Sequence, residues 1–186
     1  MSTELVIIIA AVLLLLVLLY NTVISKRNQV NNAFASIDAI LKKRYDLLPN
    51  LIETVKAYMQ HEKSTLTEIT ELRAKATKGT LGDNEKIELN NKLGQALRSV
   101  SIAVENYPEL KANTNFLQLQ AAMNEVEEQL SAARRAFNAA ATSYNNAVQM
   151  FPTNIIAGIF GFKARTLFEA NETERKNIDA GAMFRQ

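Results

Sequence analysis

The chain has 186 residues, with 21 Lys and Arg against 19 Asp and Glu, a formal net charge of +2 and 22% charged residues. That balance excludes a disordered tail and a strongly basic nucleic-acid binder, so nucleic acid is not an expected partner. With no cysteine and one histidine, disulfide scaffolds, thiolate metal sites, cysteine nucleophiles and ordinary histidine-based zinc sites lack their ligands.

The first element is apolar. Residues 1–4 form a short N-terminus, and "LVIIIAAVLLLLVLLYNTVI" runs from Leu5 to Ile24 without a charge, purely aliphatic residues and alanine as far as Leu19. Twenty residues of helix rise about 30 Å, the thickness of a hydrocarbon core. Tyr20 stands where an interfacial aromatic belongs, and Lys26 and Arg27 follow at headgroup level. The competing readings are a cleaved signal peptide and a lipid-buried hairpin. A signal peptide wants positive charge before the apolar run and small residues after it, whereas "MSTE" and "YNTVISKR" supply neither. A retained anchor is the favoured reading. No Lys or Arg precedes the span and Lys26, Arg27, Lys42, Lys43 and Arg44 follow it, which places the N-terminus outside and the rest in the cytoplasm.

Residues 25–151 read as a helical bundle. From Val30 the apolar positions fall at Ala33, Ile37, Ile40, Leu47, Leu51, Val55 and Tyr58, then at Ile69, Leu72 and Ala76. Steps of three and four define one buried stripe on a helix. Arg44 takes the stripe position between Ile40 and Leu47, so its charge has to snorkel or find a carboxylate such as Asp46 or Glu53. "RYDLLPNL" places Pro49 inside this stretch, removing one backbone donor and biasing the preceding residue away from helical angles. The stripe keeps its phase across the proline, which predicts a bent continuous helix. The alternative is a break with Asn50 capping a new helix.

"KGTLGDNEK" is a connection with Asp83 as the expected N-cap, followed by a helix over about 84–106 with Leu89, Leu93, Ala96, Val100 and Val104 on its stripe. "NYPEL" breaks the chain again, with Pro108 suited to a first helical turn. Then comes the cleanest pattern in the chain: Phe116, Leu119, Met123, Val126, Leu130, Ala133, Phe137, Ala140, Tyr144, Ala147 and Phe151. This spacing predicts a long helix packed along a coiled-coil-like seam, with the aromatics as core knobs rather than a cofactor site. The predicted fold class is all-α: an N-terminal transmembrane helix, then an elongated antiparallel bundle of three to four long helices, the first kinked at Pro49.

Residues 152–170 depart from that pattern. Pro152 ends the long helix, and "IIAGIFGF" concentrates Ile155, Ile156, Ile159, Phe160 and Phe162 around two glycines. Together with Phe151 these form a candidate contact segment, too short to span a bilayer. It caps the bundle's own core, enters the membrane interface beside Lys163 and Arg165, or buries itself against another subunit. Residues 171–186 read as a flexible tail.

Reactive constellations are scarce. His61 has Glu62 beside it, but neighbours on a helix point to different sides, so a surface histidine is expected. Glu125, Glu127 and Glu128 form an acidic patch without a Glu-x-x-His partner, and read as a solvated face. No G-x-S-x-G turn and no Walker-type loop occurs. No catalytic residue, metal ligand or cofactor site is predicted.

Two blocks of sequence resemble the LemA family of bacterial proteins: "YNTVISKRNQVNNAFASIDAILKKRYDLLPNLIETVKAYMQHEKSTLTEITELRA" and "YNNAVQMFPTNIIAGIFGFKARTLFEA". Their ordered motifs, R-Y-D-x-x-P-N-L with Arg44, Tyr45, Asp46, Pro49 and Asn50, and F-P-x-N-x-x-A-x-x-F-G-F, are not dictated by a coiled-coil pattern. Family members often carry tryptophan where this chain has Phe34. The resemblance implies a short extracytoplasmic N-terminus, one spanning helix and an antiparallel bundle in a bacterial inner or plasma membrane. It also implies that Pro49 kinks a long helix. Related proteins are associated with membrane remodelling or magnetosome-like compartments, membrane proteases and envelope stress.

Three functions compete. The first is a non-enzymatic scaffold whose partners are the lipid bilayer and further copies of itself. The second is an adaptor or regulator of another membrane protein, such as a protease. The third is an enzyme built from carboxylates converging in the bundle, for which the sequence offers no motif.

Overall fold

The computed structural model describes residues 2–59, 61–78 and 81–168. The expected tail at 171–186 lies outside them. The fold is all-α, and no strand occurs among the described residues. Among the described residues six helices follow in order: α1 Thr3–Lys56, α2 Lys63–Ala76, α3 Asp83–Val104, α4 Pro108–Lys111, α5 Thr114–Gln149 and α6 Thr153–Phe160. They divide into a first unit, Met1–Phe34 with Arg134–Gln186, and a second unit, Ala35–Ala133, so that α1 and α5 contribute to both.

Helix α1 is continuous over 54 residues and carries Pro49 inside it, so Asn50 caps no new helix. Instead the Asn50 carbonyl accepts the Thr54 hydroxyl at 2.8 Å, an ordinary back-bond within a helix. The apolar stretch Leu5 to Leu18 stays exposed on all sides. A helix apolar all round and unburied is long and apolar enough to cross a membrane.

The stripe expected from Val30 to Ala76 is split between two helices. α1 ends at Lys56, and the Val55 carbonyl accepts from the amides of Tyr58 and Met59 at 3.0 and 2.9 Å. "AYMQHEKS" contains no glycine or proline, so nothing local announced this reversal. Tertiary contacts hold it: Met59 is buried, the Tyr58 hydroxyl accepts from Asn113 Nδ2 at 3.0 Å, and Glu62 accepts from the Tyr107 hydroxyl at 2.9 Å.

In the second unit, Asp38 and Arg44 of α1 meet Lys86 and Asn90 of α3, while Tyr45 meets Arg73 of α2 and Lys43 meets Glu125 of α5. Rising numbers on α1 match rising numbers on α3 and, with Tyr58 opposite Asn113 and Lys43 opposite Glu125, falling numbers on α5. The order is therefore up, down, up, down, as short connections require. Ile37, Leu48, Leu51, Val55, Ile69, Leu93, Val100, Leu110, Val126 and Leu130 fill the core. Each such side chain contributes about 1.5–3 kcal/mol by leaving water.

One boundary differs from expectation, and at the other Pro108 opens a helical turn as expected. Gly82, not Asp83, is the N-cap of α3, and its amide donates to Glu85 Oε2 at 3.0 Å. After Pro108 begins the single turn α4, Asn113 starts α5 by accepting the Phe116 amide on Oδ1 at 3.1 Å.

Candidate functional site

In the second unit the R-Y-D-x-x-P-N-L motif builds a polar joint. A helical residue donates to the carbonyl four positions earlier, and Pro49 has no proton to give. The carbonyl left without a partner is that of Tyr45, and Arg73 of α2 supplies the replacement: its Nε donates to Tyr45 O at 3.0 Å. Arg44, one residue earlier, is 3% exposed. Its guanidinium donates to the buried Asn90 Oδ1 of α3 and pairs with Glu127 Oε1 of α5. The carboxylate that Arg44 needs is Glu127 of α5, reached across the core by its long buried side chain. The acidic patch is likewise not a purely solvated face, because Glu127 serves Arg44 and Glu125 lies 3.1 Å from Lys43 Nζ.

Burial pushes the Tyr45 phenol above its ordinary pKa; the Arg44 charge opposes that rise and Asp38 adds to it. Tyr107 is raised chiefly by the hydrogen bond it donates to Glu62. Asp46 and Asn50 point to solvent and take no part in the joint.

In the first unit the foot of the apolar stretch meets the C-terminal segment. Tyr20 lies 4.8 Å from Phe160 and 6.1 Å from Phe162, centroid to centroid, and the Arg27 guanidinium sits 5.6 Å over the Phe162 ring. α6 turns one side inward, burying Ile156 and Ala157, and leaves Ile155, Ile159 and Phe160 exposed, together with Phe151 before it. It ends at Gly161, whose φ of 68° favours glycine, and the Phe162 amide then bonds back to Ala157 O at 2.9 Å.

Beyond Gly161 the chain lies along α5 as a strap. Asn145 holds the Arg165 backbone at both ends, donating to its carbonyl at 2.8 Å and accepting its amide at 2.7 Å. Asn138 does the same to Phe168 at 2.9 and 2.8 Å. Two turns of helix and three residues of extended chain both advance roughly 10 Å, so the two asparagines match the strap's own repeat. Phe168 packs edge-on against Phe137 at 5.1 Å, and Phe137 against Phe34 at 5.8 Å. Asn138 and Asn145 were missed in the sequence, although each directly follows a seam aromatic, Phe137 or Tyr144, at heptad spacing.

The seam itself faces inward. Phe116, Met123, Val126, Leu130, Phe137 and Tyr144 are buried, Leu119 is half-buried, and Phe151 is 79% exposed. Leu19, Tyr20, Ile24 and Lys26 are partly covered, whereas Leu5 and Arg27 are exposed. Among the described residues no group of three or more His, Asp or Glu side chains is placed to hold a metal ion. A groove of about 470 Å³ along α1 and α2 is lined by Ile52, Met59, Leu66, two threonines and two lysines.

An all-helical chain with one exposed, apolar N-terminal helix defines a membrane-associated class of helical protein. Residues 33–180 match the LemA family model, and the chain belongs to the LemA family. It is similar to Protein LemA of Metamycoplasma hominis, 28% identical over 163 residues that cover 88% of this chain and 74% of that protein. It is also similar to Magnetosome protein MamQ 2 of Paramagnetospirillum magneticum, 23% identical over 90% of this chain and 71% of the relative. Magnetosome protein MamQ of Magnetospirillum gryphiswaldense is 22% identical over 77% of this chain and 62% of its own length.

Proposed function

We propose that this chain is a non-enzymatic, single-pass membrane scaffold, whose copies associate side by side in one bilayer and organise the membrane or recruit partners. The observation that carries this reading is α1, which runs without a break from the exposed apolar stretch into the helical core. The Phe116–Tyr144 seam is consumed inside the protomer, so association runs through the apolar helix. Copies confined to one bilayer meet at high effective concentration, and weak lateral contacts suffice. The likeness to relatives named as magnetosome proteins supports a role in an assembly rather than in a reaction. The basic residues after the span favour an N-terminus outside a bacterial inner or plasma membrane and the remainder in the cytoplasm.

The test is mass determination of the full-length protein in nanodiscs, paired with a chain beginning at Lys26. A defined oligomer that dissolves without the apolar stretch is expected. A monomer in both preparations overturns self-association and favours the adaptor reading, in which crosslinking in cells captures a different protein.

A further inference from the structure

We infer that α6 is an interfacial membrane contact: Phe151, Ile155, Ile159 and Phe160 enter the boundary between headgroups and acyl chains beside the foot of the anchor. The inference rests on membrane anchoring by α1 and is independent of whether copies associate.

Position comes first. Tyr20 ends the apolar run, at the level where an amphipathic ring faces headgroups, and Phe160 packs on it at 4.8 Å. α6 therefore sits at the depth where the anchor leaves the hydrocarbon. Its eight residues, TNIIAGIF, carry no charge, and at about 12 Å they are too short to cross a bilayer.

The division of its faces comes second. Ile156 and Ala157 are 3% and 2% exposed, whereas Ile155, Ile159, Phe160 and Phe151 are 51%, 69%, 59% and 79% exposed. A contiguous apolar surface of this kind marks a contact. Here it is continuous, through Phe160 and Tyr20, with the apolar surface of α1, so the bilayer that receives the anchor already covers the ground beside it.

Charge comes third. Arg27 lies over Phe162, and Lys163 follows it, exposed. Cations on the water side of an apolar face match anionic headgroups. The strap clamped by Asn145 keeps α6 from drifting away, since Arg165 is held a few residues beyond Gly161.

The chain has no tryptophan, so single tryptophans report position without background. Ile159→Trp, Val12→Trp and Ala136→Trp are introduced separately into the full chain and reconstituted in vesicles of phosphatidylcholine and phosphatidylglycerol. Part of the lipid is brominated, either near the headgroup end of the acyl chain or deep within it. Ile159→Trp is expected to emit at blue-shifted wavelengths and to lose more emission to the shallow bromines than to the deep ones. Val12→Trp should lose more to the deep bromines. Ala136, exposed about 20 Å back along α5 from its end, should give a variant insensitive to both. Solvent-like, unquenched emission from Ile159→Trp overturns the inference. Blue-shifted but unquenched emission also overturns it, because protein rather than lipid then covers α6. If Val12→Trp is unquenched, anchoring itself fails and the interfacial contact falls with it.

Discussion

Arg73 Nε donates to the Tyr45 carbonyl at 3.0 Å, and that carbonyl is the one Pro49 deprives of its helical partner. The proline and the arginine thus form one device spread over two helices. A defect in α1 becomes the acceptor that docks α2, so the cost of an interrupted helix turns into a specific interhelical bond.

Arg73→Ala should therefore destabilise the protein by about 1–3 kcal/mol, the cost of leaving a buried acceptor without a donor. In a Pro49→Ala background the restored amide serves Tyr45 O, and the same Arg73 substitution should cost less. Thermal unfolding of the four proteins of this cycle measures the coupling. Equal costs in both backgrounds would separate the two residues.

The Arg44 joint predicts a contrast between two neighbouring glutamates. Glu127→Ala takes the carboxylate away from a buried guanidinium that keeps its bond to Asn90, and removal of one member of a buried pair costs up to about 3–5 kcal/mol. Glu127 is itself half-exposed and Asn90 stays in place, so roughly 1–3 kcal/mol is expected here. Glu125→Ala breaks a pair in which both partners are exposed and should cost at most about 1 kcal/mol. Chemical denaturation of the two variants gives the comparison.

Removing either asparagine clamp should release the strap without unfolding the helices. Asn138→Ala and Asn145→Ala each delete a reciprocal pair of bonds to backbone, worth about 1–3 kcal/mol. Amide hydrogen exchange should rise at Arg165 and Phe168 while the protection of α5 is kept. Phe168 also packs on Phe137 and Arg165 also donates to Asn31, so each end of the strap keeps a further contact when its asparagine is removed and the rise in exchange should be partial at both.

Two raised phenols set an alkaline limit. Tyr45 and Tyr107 both hold their protons more tightly in the folded chain than an ordinary phenol, Tyr45 through burial and Tyr107 through its bond to Glu62. Their contribution is thus complete below the ordinary phenol pKa of about 10 and is lost as pH rises through the raised values. Melting temperature should fall in that window, and fall less steeply in a Tyr45→Phe, Tyr107→Phe double variant.

The two glycines of the C-terminal segment should respond with opposite signs. At Gly161 the φ of 68° with open space around it makes alanine costly through the backbone alone, by about 1–2 kcal/mol. Gly158 lies within α6 with nothing near its missing Cβ, so alanine there should stabilise the helix by about 0.5–1 kcal/mol. Hydrogen exchange of α6 amides distinguishes the two.

Much of this was legible in the sequence, because periodicity is a local property of a helix. The charge-free run Leu5–Ile24, the stripes of α3 and α5, and the phase kept across Pro49 all follow from which residues share a face. The place of Arg44 on the stripe was legible too, and with it the need for either a route to water or a carboxylate. What failed was local in a different way: the reversal after Lys56 carries no glycine or proline, and Gly82 rather than Asp83 caps α3.

Sequence by itself determined the apolar stretch, the stripes of α3 and α5, the continuity of α1 through Pro49 and the membership of one family, since these rest on spacing and on ordered motifs. Tertiary structure alone decided that Arg44 reaches Asn90 and Glu127, that Arg73 answers Pro49, that asparagines grip the strap, and which face of α6 lies open. The physical reason is distance along the chain. A hydrogen-bond partner dozens of residues away leaves no periodic trace, and only the packed helices bring donor and acceptor within reach.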